Sequence, residues 1–323
     1  MTRNKRWLRA FVVFLFCFLL AAGCADDPLE KPGPYSIYLS DEFTISDPQN
    51  PETPIEARIY APSQDGGASI STGPFPLIVL MPGFGATYGN YACYARHLAS
   101  HGSIVVGMNF NMTPGFDGRH DDLALQTLVV IDYAVCPGSL LSDHVDPCKI
   151  ATAGHSLGAK IAFYAAALDP RIMVVMAMDP VNGGGPPCAI SEEWCNAYPV
   201  APNVVTGEIG LLDQVHAASL VLRAAPDVFN PDPQSNAYYF FYGMDGQGAH
   251  AVDSPALYFD MGNSGHASWL YLGSNWNVPL ITKRTMVAWV KEHFNGECMD
   301  AYFTGEVVQE DIDAGFIVAV DAR

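Results

Sequence analysis

Apolar and polar positions change period several times along this chain, and each change marks an element. Ser36–Thr44 and Ile55–Ala61 alternate as antiparallel strands with one buried face do. Pro76-Leu77-Ile78-Val79-Leu80-Met81 is apolar without a break, as a central strand covered on both faces must be. Tyr88–Ser100 then reads as a helix, Ser103–Phe110 as a strand, and His120–Val135 as a helix. Asp121 and Asp122 fall in the first turn of that last helix, where acids favour the dipole. A short β-prone run from Lys149 meets Gly154-His155-Ser156-Leu157-Gly158, and the alanine-rich helical run Ala159–Leu168 follows directly. Further strands are predicted at Ile172–Met178, Ser219–Ala224 and Ala256–Met261, and a helix at Ile281–Phe294 stopped by Gly296. Strands alternating with helices imply a mostly parallel, doubly wound α/β sheet, whose functional groups gather at the carboxyl ends of its strands.

The amino terminus follows a different pattern. Arg3, Lys5, Arg6 and Arg9 precede the apolar run Phe11–Leu20, which is too short to span a bilayer and reads as an export signal over residues 1–23. Ala21-Ala22-Gly23-Cys24 is similar to a bacterial lipobox, with Cys24 as the lipidated residue. Ordinary signal cleavage nearby, giving a secreted protein, is the alternative. The expectation is an envelope lipoprotein held to a membrane by its lipid anchor, with residues 24–34, rich in proline, as a tether. Residues 35–323 then form a single domain, since no linker, repeat or low-complexity tract interrupts them.

Charge narrows the partners. Without the signal, 12 basic residues face 34 acidic ones, a net charge of −22 that repels nucleic acid and anionic lipid. Six cysteines remain after Cys17 and Cys24 are set aside. In an exported chain they imply three disulfides, for which loop closure favours Cys136–Cys148 and Cys188–Cys195 and leaves Cys93–Cys298. No Cys-x-x-Cys or paired histidine suggests zinc. Asp227, Asp232 and Asp245 are loop acids that read as solvated rather than calcium-binding.

The chemistry centres on Gly154-His155-Ser156-Leu157-Gly158. Its strand–Gly-x-Ser-x-Gly–helix order resembles the nucleophile elbow of α/β-hydrolases, with Ser156 as nucleophile. Acyl transfer by a serine needs a base, a group orienting that base, and donors for the oxyanion. The amide of Leu157 supplies one donor, and Pro82-Gly83-Phe84-Gly85 places the amide of Phe84 as the other. The base is expected late in the chain on a loop after the last sheet strand, which selects His266 in Gly262-Asn263-Ser264-Gly265-His266. His155 occupies a variable position of the elbow. Two strand ends can supply the acid, at Asp179 and Asp227, and the spacing leaves both open. No metal or organic cofactor is required.

Phe75-Pro76-Leu77-Ile78-Val79-Leu80-Met81-Pro82-Gly83-Phe84-Gly85, Gly154-His155-Ser156-Leu157-Gly158, Asp179-Pro180-Val181 and the segment Ser254–His266 resemble chlorophyllases. The front half is also similar to bacterial polyester hydrolases of the cutinase type. The resemblance implies the α/β-hydrolase fold and a serine carboxylesterase acting on a small or lipophilic ester. In chlorophyllases the Asp-Pro-Val aspartate is the acid, which carries over to Asp179; the polyester hydrolases point to Asp227. The match of both Asp-Pro-Val and the histidine region selects Asp179. Leu157 stands where chlorophyllases usually carry arginine, and Gly183–Asp213 is longer than in either family and a candidate roof for the pocket. A non-catalytic envelope binding protein on this fold, and an acyltransferase or perhydrolase with the same triad, are the competing expectations.

Overall fold

A computed structural model describes residues 27–48, 51–110, 120–181, 211–227, 237–242, 254–270 and 276–323. Strands β1 (Ser36–Leu39), β2 (Phe43–Ile45), β3 (Ile55–Ser63), β4 (Phe75–Met81), β5 (Ile104–Met108), β6 (Val145–His155), β7 (Ile172–Met178), β8 (Ala218–Ala224), β9 (Ala256–Met261) and β10 (Ala319–Ala322) form one sheet. Its order is β1-β3-β5-β4-β6-β7-β8-β9-β10, with β2 paired to β3. The six strands from β5 to β9 in this order run parallel, β3 and β10 run against them, and β1 and β2 pair antiparallel with β3. The helices are α1 (Ala92–Ser100), α2 (His120–Val135), α3 (Leu157–Leu168), α4 (Ala237–Tyr242), α5 (Asn277–Asn295) and α6 (Glu306–Asp313). This is the mostly parallel α/β-hydrolase architecture.

Strand β4 shows why its sequence is apolar throughout. Leu77, Val79 and Met81 point into the core under α2 and α3, and Ile78 and Leu80 into the core under α1 and α5. Each of the five is almost fully buried, so either face would be lost to a charge. Helix α3 carries only alanine, glycine and apolar residues, with one lysine, because the sheet and α2 cover it on two sides.

Ser36–Thr44, read as one strand, is split into β1 and β2, and the pattern did not mark α4; two further segments depart from the sequence reading. The chain beyond Gly296, where the pattern named no element, turns through α6 and returns as β10, whose Ala319 and Ala322 pair with Asp260 and Leu257 of β9. An open parallel edge offers unpaired backbone groups, and β10 covers it. The expected tether is corrected from Asp27 onward, since these residues are docked rather than extended into solvent. Leu29 is buried in the α1–α5 core, and its carbonyl accepts a hydrogen bond from His97 Nε2 at 2.7 Å. The Lys31 carbonyl accepts one from His101 Nε2 at 2.9 Å, and Gly33 N–H donates to Ser100 Oγ at 2.9 Å. Arg284 of α5 bridges Glu30 (2.7 Å) and Asp311 of α6. The apolar side chain at 29 makes docking favourable; proline content alone suggested a spacer.

The disulfide expectation is also corrected. Cys136, Cys148 and Cys298 are exposed, unbridged thiols, so neither Cys136–Cys148 nor Cys93–Cys298 forms. Cys136 follows α2 directly with Sγ turned toward the Pro137 carbonyl, while Cys148 is fixed in β6 by its N–H bond to Asp146. Cys93 packs against the α1–α5 core, and the Cys298 Sγ is directed at Asp300. Cys188 and Cys195 lie outside the described residues, as do the signal, Cys24, Asp232, Asp245 and most of the Gly183–Asp213 segment. Among the described residues no helix is long and apolar enough to cross a membrane.

Candidate active site

The chain between β6 and α3 reverses over one residue, Ser156, which has φ 56° and ψ −116°. A non-glycine residue held there stores strain. The surrounding glycines are required by contact rather than by their own dihedrals. A Cβ at Gly154 would lie 2.4 Å from the Gly158 carbonyl carbon, and one at Gly158 would lie 2.5 Å from the Met81 carbonyl oxygen. Both obstacles are backbone, which cannot turn aside. The Ser156 N–H is tied to the Met178 carbonyl at 2.9 Å, anchoring the turn to β7.

Beside it lies the segment after β4. Gly83 fits against the elbow so closely that a Cβ there would meet Ser156 Cβ at 3.3 Å. The turn closes through Ala86 N–H to the Gly83 carbonyl at 3.0 Å, with Gly85 at φ 69°. The peptide carrying the Phe84 amide therefore passes next to the serine, and Leu157 opens α3 on its other side. Those are the two amides the sequence nominated.

Asp179 follows β7 with φ 44°, a second strained residue, and its side chain is fully buried. Its Oδ1 accepts the Ala224 N–H at 3.0 Å, and its Oδ2 accepts His266 Nδ1–H at 2.6 Å. With Nδ1 protonated toward the carboxylate, Nε2 of His266 keeps its lone pair for a proton. Asp227, the other candidate acid, reaches the same residue differently: its Oδ2 accepts the His266 main-chain N–H at 2.7 Å. Both acids thus meet the histidine, one at the ring and one at the backbone.

The loop bearing His266 is held from several elements. Ala225 N–H donates to the Ser264 carbonyl at 2.7 Å, joining it to the exit of β8. Trp269, in the 3-10 turn His266–Leu270, is wholly buried, donates to Thr282 Oγ1 at 3.0 Å, and accepts at its carbonyl from Tyr94. His155 was passed over in the sequence as a variable position. Its buried ring lies 4.6 Å from that of His266, centroid to centroid, and its Nε2 donates to the His266 carbonyl at 2.9 Å. Burial and the neighbouring His266 push its pKa well below the ordinary 6.5, so it stays neutral. Tyr91 carried no sequence signal; its hydroxyl lies 2.8 Å from His155 Nδ1 and accepts the Gly83 N–H at 3.1 Å.

Lys160, one turn into α3 from Ser156, is fully buried, and desolvation lowers its pKa to about 7. Nothing in the sequence singled it out, because a lysine in an alanine-rich helix reads as a solvated face.

Residues 40–187 match the PETase family, described as PET hydrolase-like. The chain is 24% identical to cutinase est2 of Thermobifida alba over 164 residues, which is 50% of this chain and 49% of that protein. It is 27% identical over 152 residues to a bis(hydroxyethyl) terephthalate hydrolase of Streptomyces coelicolor, covering 47% and 43% of the two chains. Chlorophyllase-2 of Arabidopsis thaliana is 26% identical over 153 residues, 45% of each chain. The chain thus spans about half the length of the curated relatives it matches. The strand order and the elbow are those of the α/β-hydrolase fold, and over roughly half its length the chain is similar to these ester hydrolases.

Proposed function

We propose that this chain is a serine carboxylic-ester hydrolase working through an acyl-enzyme. The observation that carries the reading is the buried 2.6 Å contact between Asp179 and His266, set at the carboxyl edge of the sheet where the strained elbow presents Ser156. In this mechanism Ser156 Oγ attacks the ester carbonyl carbon while His266 Nε2 takes its proton. Asp179 orients the imidazole and stabilises its cationic form. The amides of Phe84 and Leu157 hold the oxyanion, each such donor lowering the barrier by about 3–4 kcal/mol. The imidazolium then protonates the departing alkoxide, and His266 activates water to release the acid. No cofactor takes part.

The relatives' names, a cutinase, a terephthalate diester hydrolase and a chlorophyllase, support lipophilic esters as the substrate class. We also propose export and lipidation of Cys24, on the signal and lipobox pattern. Loss of palmitate incorporation in Cys24→Ser would support it; unchanged incorporation would refute it. With Asp27 already docked on the domain, a lipid at Cys24 would hold the enzyme close to its membrane.

The deciding experiment is fluorophosphonate labelling beside Ser156→Ala, with p-nitrophenyl acetate, butyrate and octanoate as substrates. Stoichiometric labelling of Ser156, with turnover lost in the variant, is the expected result. A folded protein that neither labels nor turns over ester would overturn the reading and favour a binding protein. Ester exchange onto added alcohol or peroxide in preference to water would reassign it to acyl transfer.

A further inference from the structure

We infer that Tyr91 and His155 are positioning residues, forming one hydrogen-bond chain that sets the oxyanion segment and the base loop at a fixed distance across the elbow. This rests on the hydrolase reading above. The direction of each bond follows from elementary donor and acceptor capacity. The His266 carbonyl can only accept, so His155 Nε2 carries the proton (2.9 Å). A neutral imidazole then has a lone pair on Nδ1, so the Tyr91 hydroxyl donates to it (2.8 Å). The Tyr91 oxygen is left to accept, and the Gly83 N–H supplies the donor (3.1 Å). Every donor points the same way, from Gly83 toward His266, and bonds aligned in this sense polarise one another.

The two ends of the chain are the places the mechanism uses. Gly83 immediately precedes the Phe84 amide, and His266 is the base. The middle is fully enclosed, with Tyr91 buried and His155 2% exposed, so no water competes for these groups. Burial holds the Tyr91 hydroxyl protonated far above its ordinary pKa and keeps His155 neutral, so the bond order persists over the working pH range. His155 belongs to the elbow itself, one residue before Ser156. A shift at either end is therefore referred to the nucleophile.

The test uses Tyr91→Phe, His155→Leu, His155→Gln and the double variant Tyr91→Phe/His155→Leu in the full chain. Turnover of p-nitrophenyl butyrate is expressed per fluorophosphonate-titrated site, which discounts unfolded protein. Tyr91→Phe keeps the ring and strands two buried partners. It should lower kcat about tenfold with KM within twofold, and displace the acidic limb of the kcat/KM profile. His155→Leu should lose at least as much. His155→Gln, which again offers one donor and one acceptor, should recover most of the loss. The double variant should be no worse than His155→Leu, since one broken link already opens the chain. Turnover per site within twofold of the parent in Tyr91→Phe, with a superimposable pH profile, would overturn the inference. So would losses that multiply in the double variant. Turnover retained in Ser156→Ala would remove the hydrolase reading and this inference with it; turnover lost there but unaltered in Tyr91→Phe removes this inference alone.

Discussion

The elbow and the loop carrying His266 stand next to one another, yet they are built on different principles. The elbow is compact: within five residues, Gly154 and Gly158 leave room for the backbone of Gly158 and of Met81 in β4, and Ser156 turns the chain at φ 56°. The His266 loop has no comparable geometry of its own. It is fixed by Asp227 at the main-chain N–H, His155 at the carbonyl, Asp179 at the ring, Ala225 at Ser264 and Thr282 at Trp269. Ser156 is thus held by a compact turn wedged against β4 and β7, and His266 by contacts between residues as many as 175 positions apart.

The sharpest break on the elbow side is Gly158→Ala. Its methyl group meets the Met81 carbonyl at 2.5 Å, so β4 and α3 must separate. A loss of about 3 kcal/mol is expected, read in urea unfolding, with turnover falling in step. On the loop side, Asp179→Asn and Asp227→Asn divide the two acids by function. Asp179→Asn presents an amide to Nδ1 and should reduce kcat on the order of 10⁴-fold. Asp227→Asn retains an oxygen for the His266 N–H and should cost about tenfold or less. The reverse ranking would exchange their assignments.

Acidification sharpens the comparison through histidines that are buried neutral. His97 is lowered from its ordinary 6.5 to about 4 by burial, His293 likewise, and His155 is held well below its ordinary value by burial and the neighbouring His266. Between pH 4 and 6.5 the unfolded chain binds protons at these sites that the native chain does not. Stability should therefore be complete above about pH 7 and fall as pH drops through this window. Melting temperatures between pH 7.5 and 5 check this, and no decline would mean these rings are more solvated than the fold indicates.

The smallest effect on turnover belongs to the amino-terminal strap. A chain beginning at residue 35 loses the buried Leu29, the bonds from His97 and His101, and the Glu30 partner of Arg284. Its melting temperature should fall by several degrees while kcat per titrated site stays within twofold. An unchanged melting temperature would restore residues 27–34 to the role of a spacer.

Legibility in the sequence follows the same division. The elbow, the buried strand β4 and the turn at Gly83-Phe84-Gly85 are each written in a few adjacent residues. Periodicity gave most of the strand and helix order through α5 for the same reason, missing α4 and the break between β1 and β2. The region after Gly296 was missed because α6 and β10 are short and owe their existence to what they cover. The tether was misread because a single leucine among prolines says nothing about a groove formed by α1 and α5. Two of the three expected disulfides, Cys136–Cys148 and Cys93–Cys298, do not form because spacing along the chain does not fix the direction of a thiol.

By itself, then, the sequence determined the fold class, the elbow at Ser156 and the choice of His266 and of two acids, all properties of neighbouring residues or of periodic pattern. Only the tertiary structure showed Asp179 at the imidazole and Asp227 at the backbone N–H, and brought Tyr91 and His155 between the two loops. Hydrogen bonds of about 3 Å discriminate between partners that lie far apart in the chain, and that distance exists only after the sheet has closed around them.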